Sequence, residues 1–83
     1  MRIKNYETEY MLIDCNGKLT ALYGPSIEKF CVLSRGAILK IDQKLYRVVE
    51  VAQTFRNECH TTTIFLESAY GLHPYVEQYI KSV

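Results

Sequence analysis

The chain has 83 residues, 48% of them hydrophobic and 23% charged, with a formal net charge of +1. That length leaves room for a single core over residues 1–83, and plentiful Leu, Ile, Val and Phe at near-zero net charge exclude disorder. No run of about 18 uncharged apolar residues occurs, so no membrane span is expected, and ten basic against nine acidic residues give no bulk attraction for nucleic acid or an anionic surface.

The first element expected is a hairpin. Tyr10 to Cys15 and Lys18 to Tyr23 are rich in strand formers, and Asn16-Gly17 between them suits a tight type I′ turn, which needs two positive φ angles. Gly24-Pro25-Ser26 ends the second strand, because proline donates no ladder hydrogen bond. Ser26 to Leu33 reads two ways. Ser26 caps a short helical turn with Ile27, Phe30 and Cys31 on one face, or Lys29 to Leu33 forms a short strand.

From Arg35 to Leu66 three strands follow. Ala37 to Ile41 alternates, Asp42-Gln43-Lys44 is a polar turn, and Leu45 to Phe55 is the longest strand candidate, rich in Val, Tyr and Phe. Its inward phase shifts, since Tyr46 and Val48 lie two apart and Val51 follows by three. A β-bulge near Val49-Glu50 produces that shift. Arg56-Asn57-Glu58 is the next turn, and His60 to Leu66 returns as a β-branched strand. Five short strands in about 60 residues predict a mostly β fold, a small five-stranded antiparallel barrel or strongly bent sheet.

The tail changes period. Leu72, Val76, Tyr79, Ile80 and Val83 follow helical spacing, with Pro74 in the first turn, which predicts a C-terminal α-helix over about 72–82. Tyr75 and Tyr79 lie on one flank. The helix either covers an open end of the barrel as its second layer or docks on a partner, tyrosine being enriched at interface cores. The expected core is Leu12, Leu19, Ala21, Ile38 or Leu39, Ile41, Tyr46, Val48, Val51, Ile64, Leu66, Val76 and Ile80.

Chemistry is sparse. The start MRIKNYETEY is charged at Arg2, Lys4, Glu7 and Glu9, has no apolar stretch behind a basic head, and reads as a mobile start in a cytoplasmic protein. Three widely spaced cysteines, Cys15, Cys31 and Cys59, argue for reduced thiols. Cys59-His60, with Cys15, Cys31 and His73, is the one thread towards a metal, but zinc sites are built from paired ligands and none occurs. Neighbours on a strand point to opposite faces, which disfavours Cys59–His60 as a catalytic pair. His73 reads as a solvent-facing residue at a helix boundary. No phosphate loop, nucleophile elbow or paired carboxylate is present, so neither catalysis nor a cofactor is expected.

Charge is unevenly distributed. Residues 35–56 carry Arg35, Lys40, Lys44, Arg47 and Arg56 against Asp42 and Glu50, a net +3, whereas residues 57–83 carry Glu58, Glu67 and Glu77 against Lys81, a net −2. The basic hairpin, with Tyr46 and Phe55, is a candidate single-stranded nucleic-acid or RNA site through phosphate contacts and base stacking. The opposed charges equally suit head-to-tail self-association.

Arg35-Gly36-Ala37-Ile38-Leu39-Lys40-Ile41, a polar turn, and Tyr46-Arg47-Val48-Val49-Glu50-Val51 resemble the hairpin of small head–tail joining proteins of tailed phages. The resemblance spans residues 35–51, and the chain departs from it in carrying Ala37 after the glycine, where that family commonly has Asp. It implies a connector barrel that binds neighbouring protein subunits and catalyses nothing, and it assigns no binding residue. The leading expectation is therefore a non-enzymatic protein-binding or adaptor module, a connector or an inhibitor of a host protein, with Tyr70, Tyr75 and Tyr79 as contact residues. The alternative is nucleic-acid binding through Arg35, Lys40, Lys44, Arg47 and Arg56.

Overall fold

A computed structural model describes residues 2–24 and 33–83. The strands are β1 (Asn5–Ile13), β2 (Leu19–Leu22), β3 (Ile38–Ile41), β4 (Lys44–Arg56) and β5 (Cys59–Ser68), followed by the helix α1 (Pro74–Ser82). They form one curled, open half-barrel of spatial order β2-β1-β5-β4-β3. The mostly β fold with a bent five-stranded sheet and a C-terminal helix is as expected. Three ladders are antiparallel, and β1 on β5 is parallel, from Asn5 opposite Cys59 to Leu12 opposite Leu66. The expected element at Ser26–Leu33 lies, apart from Leu33, outside the described residues.

The parallel pair corrects the reading of the N-terminus. Glu7 and Glu9 belong to a nine-residue strand near the middle of the sheet rather than to a mobile start. Glu9 Oε1 accepts a 2.6 Å hydrogen bond from the hydroxyl of Thr63, a buried residue on β5.

Turn chemistry sits elsewhere than expected. At Asn16-Gly17 only Gly17 has positive φ, +81°. The Gly17 N–H donates to the Asp14 carbonyl, and Asp14 Oδ1 accepts from the N–H groups of Asn16 and Lys18. This longer connection, organised by the aspartate side chain, replaces the I′ pair. The two-residue turns are Asp42-Gln43 (φ 50° and 68°) and Asn57-Glu58 (φ 49° and 63°). They close ladders that end at Ile41 opposite Lys44 and Arg56 opposite Cys59. A non-glycine side chain at left-handed φ is strained, so Gln43→Gly is expected to stabilise the fold by about 0.5–1 kcal/mol in urea melts.

β4 carries the bulge. Val48 faces Leu66 and Glu50 faces Phe65, leaving Val49 as the extra residue. The insertion keeps Tyr46, Val48 and Val51 on one face, as the broken period of the sequence requires. That face holds the buried core of Tyr10, Ile41, Tyr46, Val48, Ile64 and Leu66, with Leu12, Leu22, Leu33, Ala37, Leu39 and Val51 packed against it. Four expected core residues are outside it: Leu19, Ala21, Val76 and the half-buried Ile80 of α1. Leu19 and Ala21 are exposed because β2 turns Leu22, opposite Tyr10, inward instead, and Val76 is exposed on α1.

The side strands are short. β2 pairs with β1 only over Tyr10–Ile13, and β3 pairs with β4 only over Lys44–Arg47. Among the described residues, the end of the sheet holding Asn5–Glu9, Val51–Arg56 and Cys59–Thr63 is therefore three strands wide. Among the described residues no helix is long and apolar enough to cross a membrane.

Candidate functional site

α1 begins two residues later than the spacing predicts. Pro74 takes the first helical position, where its missing N–H costs nothing, and His73 caps the end by accepting from the Tyr75 N–H through Nδ1 at 3.3 Å. His73 is exposed, the boundary residue its position suggested. Glu77 and Lys81 form an i,i+4 ion pair at 2.9 Å.

Its attachment to the sheet is largely polar. Lys40 Nζ on β3 donates to the carbonyls of Lys81 at 3.2 Å and Val83 at 2.8 Å, placing a cation at the negative end of the helix dipole. Arg47 Nη2 on β4 donates to the Tyr70 carbonyl at 3.0 Å, fixing the segment that leads into the helix. Between helix and sheet runs a cleft of ≈ 420 Å³ lined in part by Leu12, Lys44, Tyr46, Ser68, Tyr70 and Glu77. No residue of α1 is buried.

The consequence is an amphipathic helix turned the unusual way. At about 100° per residue, Tyr75, Tyr79, Val76 and Ile80 occupy one continuous apolar arc of about 140°. Only Ile80, at one edge of that arc, is half-buried. Tyr75 and Tyr79 are 78% and 70% exposed, and Tyr70, just before the helix, is 77% exposed. The three tyrosines singled out from the sequence thus lie on one segment and face solvent, so the helix does not serve as a buried second layer.

The five hairpin cations do not converge. Arg35 is ion-paired to Glu50, Lys40 is engaged by the helix carbonyls, and Arg47 by Tyr70. Lys44 borders the cleft, and Arg56 ends β4 at the opposite end of the sheet. Tyr46, the ring proposed to stack on bases, is buried, whereas Phe55 is not.

Cys59 and His60 point apart. Cys59 Sγ contacts Thr61 Oγ1 at 3.7 Å, whereas His60 Nε2 meets Gln53 Oε1 at 3.1 Å across the strand pair. Among the described residues no group of three or more His, Cys, Asp or Glu converges on one point.

One cluster escaped the sequence reading. His60 lies opposite Tyr6 on β1 and Phe55 on β4, so three rings stand in a row across three strands. Phe55 and His60 are stacked with centroids 4.4 Å apart and planes 13° apart, and Tyr6 meets His60 edge-on at 5.6 Å. Phe55 and His60 face each other across the β4–β5 turn, but only knowledge of the β1–β5 register joins Tyr6 to them. Compared with models of known protein families, with curated proteins and with solved structures, the chain matches none.

Proposed function

We propose that this chain is a non-enzymatic protein-binding module, an adaptor or connector, that docks a protein partner on the outward face of α1. The observation that carries this reading is the exposed apolar arc of Tyr75, Tyr79 and Val76 on a helix that buries none of its own residues. Leaving large apolar side chains in water gives up about 1.5–3 kcal/mol each relative to burial, and contiguous exposed apolar surface marks interaction sites. Tyrosine is among the residues that dominate binding energy once desolvated at an interface centre. Lys40 and Arg47 hold this surface in place before binding, which lowers the ordering cost of association. The hairpin of residues 35–51 that resembles phage joining proteins supplies both of those cations, consistent with a connector role. A cytoplasmic setting suits the free thiols of Cys15 and Cys59.

The test is a pair of alanines, Tyr75→Ala and Tyr79→Ala. Both side chains are solvent-facing, so the melting temperature should stay within about 2 °C of wild type. Binding to the natural partner, recovered by affinity capture and measured by titration with the purified protein, should weaken at least about 30-fold, roughly 2 kcal/mol. Unchanged affinity, or loss of the fold with the tyrosines, overturns the proposal.

A further inference from the structure

The three-ring row at the narrow end of the sheet lies far from α1 and plays no part in the docking reading. We propose that this end is a second binding site, for single-stranded nucleic acid, with Phe55 as its stacking surface. Phe55 and Tyr6 are each 54% exposed, although they flank a half-buried His60. β3 does not extend alongside Phe55, so among the described residues the stack of His60 and Phe55 ends at a strand with no neighbour in the ladder there. A planar base laid on Phe55 continues the same stack.

Charge segregation supports a polyanion over a protein. Strand alternation puts Thr8, Thr62 and Gln53 on the same face as the rings, because Thr8 and Gln53 both lie opposite Thr62. Glu7, Glu9 and Glu50 fall on the other face, Glu7 opposite Thr61, Glu9 opposite Thr63 and Glu50 opposite Phe65. The strand carboxylates thus stay off the ring face, which offers uncharged hydrogen-bonding groups instead. At the tip, Lys4 donates its N–H to the Glu58 carbonyl and pairs with the Glu58 carboxylate at 3.1 Å, so the N-terminal segment runs beside the β4–β5 turn. That brings Arg2 and Lys4 to the end that carries the rings, against Glu58, whereas Arg56, opposite Cys59, is turned to the other face. Arg2 forms no ion pair among the described residues. Rings for bases beside cations for phosphates is how sequence-tolerant single-strand sites are built. This site keeps Phe55 of the basic hairpin and sets it beside Tyr6 and His60, with the cations of the N-terminal segment in place of the hairpin's own.

The experiment is fluorescence anisotropy with labelled mixed-sequence oligomers of roughly 12 nucleotides, as single-stranded DNA, single-stranded RNA and duplex DNA, over a range of salt. Single strands of at least one sugar type should bind at low salt, and the duplex, whose bases are already stacked, should bind at least about ten-fold more weakly. Phe55→Leu, which keeps a strand-compatible apolar residue, should weaken single-strand binding about five- to a hundred-fold, while Phe55→Tyr retains it. Arg2→Gln should make the log–log salt dependence shallower by about 0.7, one phosphate contact on a single strand. Circular dichroism confirms that each variant is folded. No anisotropy change at low salt, duplex binding as tight as single-strand binding, or wild-type affinity in Phe55→Leu overturns the proposal. So does self-association through this face, seen as a rise in mass with concentration that Phe55→Leu abolishes while oligomers leave the anisotropy flat.

Discussion

Leu66→Ala is expected to be the most damaging single truncation in this chain, costing about 2–5 kcal/mol. Leu66 is 0% exposed and sits at the crossing of two ladders, opposite Leu12 on β1 and Val48 on β4. Its loss removes apolar contact on both sides and leaves a void that neighbouring strands cannot close without breaking register. A domain of this size has only about 4–12 kcal/mol of stability in total, so the variant should melt some 10–20 °C lower. Leu19→Ala is the control, because the hydrophobic pattern counted Leu19 in the core but β2 leaves it exposed. It should change stability by no more than about 0.5 kcal/mol. Equal losses at the two positions, measured by urea denaturation, would show that the inward phase of β2 has been misassigned.

These two leucines mark where local pattern succeeds and where it stops. The strands from Ile38 to Ser68, the turns between them and the bulge at Val49 are legible because each depends on residues within a few positions. The phase break between Val48 and Val51 is visible without any partner strand. The pairing of β1 with β5 is different, since it joins residues 54 apart in sequence, such as Tyr10 and Ile64. No turn signal announces it, so local pattern places neither Tyr10 in the core nor Glu9 in a strand. The short β2, with Leu19 and Leu22 both available, needs to know which face Tyr10 occupies before either can be assigned.

The candidate surfaces divide along the same line. Tyr70, Tyr75 and Tyr79 are contiguous in sequence and could be singled out together, although helical spacing alone did not say which way the helix turns. The orientation comes from Lys40 and Arg47, strand residues whose hydrogen bonds draw the polar side of α1 and its lead-in towards the sheet. The same bonds consume two of the five hairpin cations. Counting charge along the chain therefore overstated what the hairpin offers to a polyanion. The ring row, by contrast, is assembled from three strands, and although the β4–β5 turn pairs Phe55 with His60, nothing local in the sequence joins Tyr6 to them.

Gly24→Ala should be the second most damaging change, at about 1–3 kcal/mol, although it adds one methyl to an exposed residue. The Asn16-Gly17 turn and Gly36 use glycine for positive φ, but Gly24 has no such backbone requirement. Its constraint is steric. A Cβ at this position would lie 2.6 Å from Cε2 and 2.8 Å from Cδ2 of Tyr10. Tyr10 is 3% exposed and held in the core between Leu22 and Ile64, so its ring has little room to withdraw. From the sequence, Gly24 before Pro25 reads simply as a strand stop. In the fold it is the point where the chain leaving β2 crosses the face of a core ring. The distinction can be measured with a double-mutant cycle on Tyr10→Leu, read by urea denaturation. If the methyl and the ring collide, the double variant is more stable than the sum of the single losses predicts, by about 0.5–3 kcal/mol. If Gly24 acts only through chain flexibility, the two losses add, and the close approach of Tyr10 has no part in holding β2 to the sheet.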